Sequence, residues 1–157
     1  MMINCRVCRL VMVLGTAAGV ACERTPAVLS IAPASTTASL SFELSSGTEK
    51  TAPVASLVGF VVSRYPCDTP RSADKVRVWA MNARDGVGPA SPPTIIRYGV
   101  APPEYVTSTG PAALTEGCYE AYVTGADLRA ILNYRVDRDG RVMPLRREQS
   151  HERDTMS

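Results

Sequence analysis

The chain has 157 residues and a formal net charge of +2, and this length suits one domain of ordinary size. Two basic residues, Arg6 and Arg9, lie in the N-terminal segment, and without them basic and acidic residues are equal in number. Nucleic-acid binding normally needs a basic excess on one face, so this balance argues against a nucleic-acid partner. The 12 prolines, 11 glycines and few aromatic residues favour short strands joined by turns over long helices.

The first 21 residues predict a signal peptide. Residues 1–9 carry two arginines and no acid, and residues 10–22 are uncharged and apolar or small. A basic start, an apolar stretch of about a dozen residues and a small-residue end are typical of a secretory signal. The stretch is shorter than the roughly 20 residues that span a bilayer. The alternative is an N-terminal core helix, which would carry polar residues at helical spacing that this stretch lacks.

The end of this segment, Gly19-Val20-Ala21-Cys22, resembles the lipobox of bacterial lipoproteins, with Gly19 where that family usually has leucine. The resemblance implies that the Cys22 thiol receives a diacylglyceryl group and that the leader is removed just before it. The chain would then reach a membrane through its N-terminal lipid, and the outer membrane is the expected destination where one exists. The alternative is ordinary cleavage after Ala21, which would give a periplasmic or secreted protein.

The five cysteines divide by their position in the chain. Cys5 and Cys8 lie in the leader with no second pair and no histidine nearby, so we expect no metal or redox site there. Cys67 and Cys118 are an even pair in an oxidising compartment, which predicts a disulfide bond. It would close a loop of about 50 residues and stabilise the domain by roughly 3–4 kcal/mol in the chain-entropy model. The alternative is two buried free thiols.

The mature part predicts a tether, a series of strands and a tail. Residues 22–37 mix small residues with prolines and predict a flexible tether, within which Ala27–Ile31 is also compatible with a first edge strand. Alternating apolar and polar residues, and apolar runs bounded by turn residues, predict seven strands. They cover residues 39–44, 57–65, 75–82, 94–100, 117–124, 132–137 and 141–145. Residues 146–157 are polar and charged and predict a disordered tail.

Six or seven short strands without strand–helix–strand alternation predict an all-β fold after the N-terminal signal helix. The expected architecture is an antiparallel β-sandwich over residues 38–145. The stretch Leu114-Thr-Glu-Gly-Cys-Tyr119 resembles the corner before a late strand of immunoglobulin-like and fibronectin type III-like domains. The resemblance implies that Tyr119 bonds back to the backbone and that Leu114 and Val123 lie in the core.

The same resemblance extends to the order of three further residues. Cys67, Trp79 and Cys118 follow the immunoglobulin order of cysteine, tryptophan and cysteine. Cys118, however, precedes the corner tyrosine instead of following it by two residues. The resemblance therefore does not define an orthodox bridge between the two sheets.

The sequence predicts no catalytic residue. A Ser–His–Asp triad needs a histidine held at its nucleophile, and the single His151 lies in the charged tail. Asp137 and Asp139 are the nearest pair of carboxylates, and they are the residue types of a hairpin turn. They also lack the third acid and the distal glutamate of a calcium loop. We therefore expect no metal and no other cofactor.

Trp79 is the candidate binding residue. By strict alternation it shares one face of its strand with Lys75 and Arg77, while Val76 and Val78 take the other face. A tryptophan beside an arginine on a polar sheet face can stack on a sugar or on a partner's side chain. Trp79 and Arg77 thus define a possible binding face. The alternative is that this single tryptophan lies in the core.

Together these patterns predict a cell-envelope lipoprotein with a non-catalytic, immunoglobulin-like interaction or structural domain. Its partners would be the membrane, through the lipid, and a protein or glycan that the sequence does not identify. The alternative is a secreted or periplasmic enzyme, or a carbohydrate-binding module, whose site the sequence patterns do not reveal. A concave polar site in the fold would favour that alternative.

Overall fold

The computed structural model describes residues 27–46, 56–68, 74–89, 91–125 and 128–145. The predicted signal peptide, Cys22 and the predicted tail lie outside the described residues. The described part contains nine strands and no helix, and the strands form two antiparallel sheets. The predicted all-β class and the antiparallel β-sandwich are thereby confirmed, with more strands than the six or seven expected.

The two sheets differ in size. The strands are β1 (Ala27–Ile31), β2 (Ser41–Ser46), β3 (Gly59–Tyr65), β4 (Val76–Ala83), β5 (Ile95–Arg97), β6 (Tyr105–Thr109), β7 (Gly117–Thr124), β8 (Arg129–Val136) and β9 (Val142–Pro144). The small sheet has the order β1-β2-β5, and the large sheet has the order β6-β4-β3-β7-β8-β9. Because the chain moves between the sheets, neither sheet is made of consecutive strands only.

Aromatic rings from both sheets meet in the core. Phe42 of the small sheet contacts Phe60 and Tyr134 of the large sheet, with ring centroids 5.1 and 5.8 Å apart. Tyr119 stacks on Tyr134 at a centroid distance of 5.4 Å. All four rings are buried, as are the inward-facing residues of most strands. Burial of these apolar surfaces is what holds the two sheets together.

The prediction of a flexible tether over residues 22–37 is wrong for the part that the structure describes. β1 pairs with β2 along its whole length, and Thr36 forms an isolated bridge with Arg141. The strand resembles a tether in sequence because it is an edge strand in which only Leu29 is buried. The segment Ala27–Ile31 therefore belongs to the folded domain, and the edge-strand alternative is confirmed.

The sequence patterns miss β6, the edge strand of the large sheet. Its residues follow two prolines, and only Tyr105 is buried, so no apolar alternation marks the strand. β6 pairs with the end of β4, where Tyr105 lies opposite Ala83. The Tyr105 hydroxyl also donates a hydrogen bond to the carbonyl of Leu57 at 3.0 Å. One buried tyrosine thus joins this edge to the residues that lead into β3.

Tyr119 closes the corner before β7 by bonding back to the backbone. Its hydroxyl accepts a hydrogen bond from the Thr115 amide at 3.0 Å and donates one to the Thr115 carbonyl at 2.8 Å. Val123 is buried in the core, and Leu114 packs half-buried against it. These contacts confirm the predicted bond from Tyr119 to the backbone and the predicted packing of Leu114 and Val123 in the core. Membership of an immunoglobulin-like family stays a prediction.

We expect Tyr119→Phe to lower the free energy of unfolding by about 1–2 kcal/mol, because it removes both hydrogen bonds to Thr115. Tyr134→Phe is the matched control, because the Tyr134 hydroxyl is buried without a hydrogen-bond partner among the described residues. Losing an unpartnered buried hydroxyl should leave stability unchanged or raise it slightly. Urea denaturation of both variants measures the difference, and equal losses would contradict the corner's contribution.

Candidate functional site

A β-bulge decides which side chains of β4 face the core, and it overturns the predicted binding face. In the pairing of β3 with β4, Val62 lies opposite Trp79 and Ser63 lies opposite Arg77, so Val78 is an extra residue on β4. One extra residue reverses the alternation of side chains along a strand. Trp79 and Arg77 therefore lie on opposite faces of the sheet, and the prediction that they form one face is wrong.

Trp79 is a core residue with 0% of its surface exposed. Its ring lies 5.4 Å from that of Phe60 and 5.3 Å from that of Tyr98, measured between centroids. The Tyr98 hydroxyl donates a hydrogen bond to the Ala112 carbonyl at 2.7 Å, which covers this side of the core. A ring enclosed in this way cannot stack on a sugar or on a partner. The alternative that the single tryptophan lies in the core is confirmed.

Arg77 is exposed on the outer face of the large sheet, in a polar neighbourhood. It lies opposite Ser63, which in turn lies opposite Glu120 of β7. The Lys75 ammonium nitrogen contacts both carboxylate oxygens of Glu120, at 2.7 and 2.8 Å. Such partly exposed ion pairs add at most about 1 kcal/mol to stability. This arrangement fits a solvated outer face, and Arg77 alone does not define a binding site.

The predicted disulfide bond between Cys67 and Cys118 is present. Cys67 follows β3 and Cys118 lies near the start of β7, with their Cα atoms 5.2 Å apart. The two strands already pair at this end, where Tyr65 lies opposite Cys118. Cys118 is buried and Cys67 is exposed. The bond therefore joins the end of the large sheet to the turn that follows β3.

A depression of about 460 Å³ lies beside this disulfide. It is lined by Arg64, Tyr65, Pro66, Cys67, Asp68, Asp74, Val76 and Gly117. The Arg64 guanidinium donates a hydrogen bond to the Glu116 carbonyl at 2.9 Å. It also lies over Gly117, where an added Cβ would be 3.0 Å from the guanidinium. The Arg64 guanidinium is therefore held in place at one side of the depression.

The described residues that line the depression offer groups for polar binding. Its two sulfur atoms are bonded to each other, so neither is a free nucleophile. The exposed carboxylates of Asp68 and Asp74 lie at its rim with the cationic Arg64. Sequence patterns did not indicate that these three residues share a site, because Arg64 belongs to β3, Asp68 follows it, Asp74 precedes β4, and no recognisable spacing links them. The only signal was that Arg64 and Asp68 flank a cysteine predicted to be bonded.

Three tyrosines of the described residues have a raised pKa and stay neutral at ordinary pH. Burial raises the pKa of Tyr98 to about 12, and the nearby Tyr119 adds to this rise. Burial also raises the pKa of Tyr105 to about 12 and moves the pKa of Tyr134 upward further still. None of these phenols would act as a base near pH 7.

Among the described residues, no group of three or more histidine, cysteine, aspartate or glutamate side chains is placed to hold a metal ion. No helix of the same residues is long and apolar enough to span a membrane. Comparison with protein-family models, with curated proteins and with solved structures finds no match to this chain.

Proposed function

We propose that this chain is a cell-envelope lipoprotein, anchored through an acylated Cys22, whose β-sandwich is a non-catalytic structural or interaction domain. The observation that carries the proposal is the disulfide between Cys67 and Cys118. Disulfides form and persist in oxidising compartments outside the cytoplasm and are rare within it. The bond therefore supports the export that the basic and apolar N-terminal segment predicts.

The start of the folded domain supports the anchored form of this proposal. The lipobox-like residues Gly19–Cys22 end five positions before β1 begins at Ala27. A chain cut before Cys22 would lose no residue of the described domain. Cleavage at this point thus leaves the sandwich complete and places its first strand close to the lipid.

Two features support a non-catalytic domain over the alternatives. The inward-facing side chains fill the space between the sheets, and the described residues of the depression beside the disulfide supply carboxylates and Arg64 without an activated nucleophile among them. A carbohydrate-binding module depended on an exposed Trp79, and that ring is buried. A structural or protein-binding role fits a sandwich whose outer faces carry only solvated charges and scattered apolar residues.

The anchor is tested on protein purified from the membranes of a bacterial host that expresses the full chain. We expect intact-mass measurement to find a chain that begins at Cys22 and carries diacylglyceryl and acyl groups. Radiolabelled palmitate should enter the protein, and Cys22→Ser should abolish this labelling and release the protein into the soluble fraction. Cys5→Ser is the matched control, because this leader cysteine should not matter for lipidation. An unlipidated chain that begins at Cys22 would reject the proposal.

A further inference from the structure

The connection between the lipid site and the folded domain is too short to allow every orientation at a membrane. β1 begins at Ala27, and five residues of fully extended chain span at most about 18 Å from Cys22. β7 and β8 have eight residues each and pair along their whole length. Eight residues of strand measure roughly 26 Å, so the sandwich is longer than the connection can reach.

The end of the sandwich at which β1 begins, here called the anchor pole, can be traced across both sheets. β1 and β8 begin side by side, where they form a cleft lined by Ala27 and Arg129 among others. Arg129 pairs with Thr124, which pairs with Gly59, and Gly59 lies opposite Asn82 near the end of β4. The turn at residues 84–88, which follows β4, therefore belongs to the anchor pole. The disulfide lies at the opposite end.

We propose that the anchor pole faces the lipid bilayer that holds the acyl chains of Cys22, and that Val87 contacts the lipid headgroup region. This inference rests on the proposed lipid anchor. An inverted domain, with the disulfide at the bilayer, would place Ala27 about 26 Å from the membrane surface, beyond the reach of the connection. The chain length thus excludes one orientation, and the side chains of the anchor pole favour contact.

Val87 is held outward by a rigid turn. The Asp85 carboxylate accepts hydrogen bonds from the Val87 and Gly88 amides, both at 2.9 Å, and these bonds lower the pKa of Asp85. Gly88 has a φ of +85°, and a Cβ there would collide with the Leu57 carbonyl. The turn is therefore packed against the start of β3, while the Val87 side chain remains 67% exposed. A preorganised apolar tip of this kind suits insertion among lipid headgroups.

Other exposed side chains at the anchor pole have the same character. Among the described residues, four of the eight exposed large apolar side chains lie in the turn after β4 or within the first three residues of strands that begin at this pole. They are Val28, Val87, Val106 and Ile131. Arg84 and Arg129 are exposed at the same end, as are Asp85 and Glu104. The Arg84 guanidinium donates a hydrogen bond to the Pro103 carbonyl at 2.8 Å, and Arg129 can approach lipid phosphates. This combination favours a lipid surface as the occupant.

The orientation is tested with two tryptophan variants of the full, lipidated chain. Val87→Trp places a fluorophore at the anchor pole, and Val76→Trp places one at the disulfide end of β4, where Val76 is 66% exposed. The chains are reconstituted into phosphatidylethanolamine–phosphatidylglycerol vesicles that contain lipids brominated on the acyl chains. Buried Trp79 gives the same background emission in both variants.

We expect brominated lipid to quench the added emission of Val87→Trp and to leave that of Val76→Trp at the wild-type level. Aqueous acrylamide should show the reverse order. Intact mass is measured on the same samples, and an unlipidated chain would overturn the anchor and the orientation together. A lipidated chain would overturn the orientation alone if lipid quenched both variants, neither variant, or Val76→Trp more strongly. Both tryptophans favour membrane interfaces equally, so the matched pair controls for that preference.

Discussion

Replacing Cys67 and Cys118 together by alanine should lower the free energy of unfolding of the mature domain by roughly 3–4 kcal/mol. The two residues are 51 positions apart, so the bond removes a large part of the conformational freedom of the unfolded chain. In the folded domain the bond joins segments that the pairing of β3 with β7 already brings together. Removing the bond should therefore change the folded structure little. Urea denaturation of the oxidised protein and the double variant measures the difference.

Two controls distinguish the effect of losing the disulfide bond from the effect of losing the two cysteine side chains. The wild-type protein in a reducing agent should unfold like the double variant, and Cys118→Ala alone should cost about as much as both substitutions. A reduced protein as stable as the oxidised one would show that the bond constrains the unfolded chain little. A double variant much less stable than the reduced wild type would assign the loss to packing around buried Cys118.

Trp79→Ala should destabilise the domain by about 3–5 kcal/mol, the usual range for removing a buried large aromatic side chain. The ring is fully buried between Phe60 and Tyr98, so its removal leaves a cavity that the surrounding rings can fill only in part. Arg77→Ala is the matched control two positions away, and its effect should stay within about 0.5 kcal/mol. Thermal and urea unfolding of the two variants gives both values.

This pair also tests the bulge at Val78. If β4 alternated strictly, the two side chains would lie on one face, and their removal would have similar consequences. Nearly equal losses in Trp79→Ala and Arg77→Ala would contradict the register of β3 and β4. A loss confined to Trp79→Ala supports it, provided that both variants retain the disulfide.

The sequence predicted the fold class well because several strands bury every second residue. Phe42 and Leu44 of β2 show this plainly, as do the central residues of β7. The same reasoning fails for β4, because the sequence Val-Arg-Val-Trp-Ala-Met does not reveal which residue is extra in the pairing with β3. β6 is missed for a different reason, because an edge strand with one buried residue has no period to detect.

The candidate sites also differ in how far the sequence predicts them. The bond between Cys67 and Cys118 could be predicted because a paired cysteine in an oxidising compartment has few other uses. The depression beside it could not, since Arg64 and Asp74 become neighbours only when β3 and the turn before β4 are in place. The turn that presents Val87 depends on tertiary contact with Leu57, which no local pattern contains.

The bridge between Thr36 and Arg141 joins segments from nearly opposite ends of the described domain. β1 likewise lies against the start of β8. A ribosome delivers the chain from its N-terminus, so these partners meet only after almost the whole domain has been synthesised. Contacts of such long range also form slowly, because loop closure precedes them. The sandwich of a newly made chain therefore closes completely only after its last strands appear, and under the proposed export this delay would give an export channel time to thread the chain.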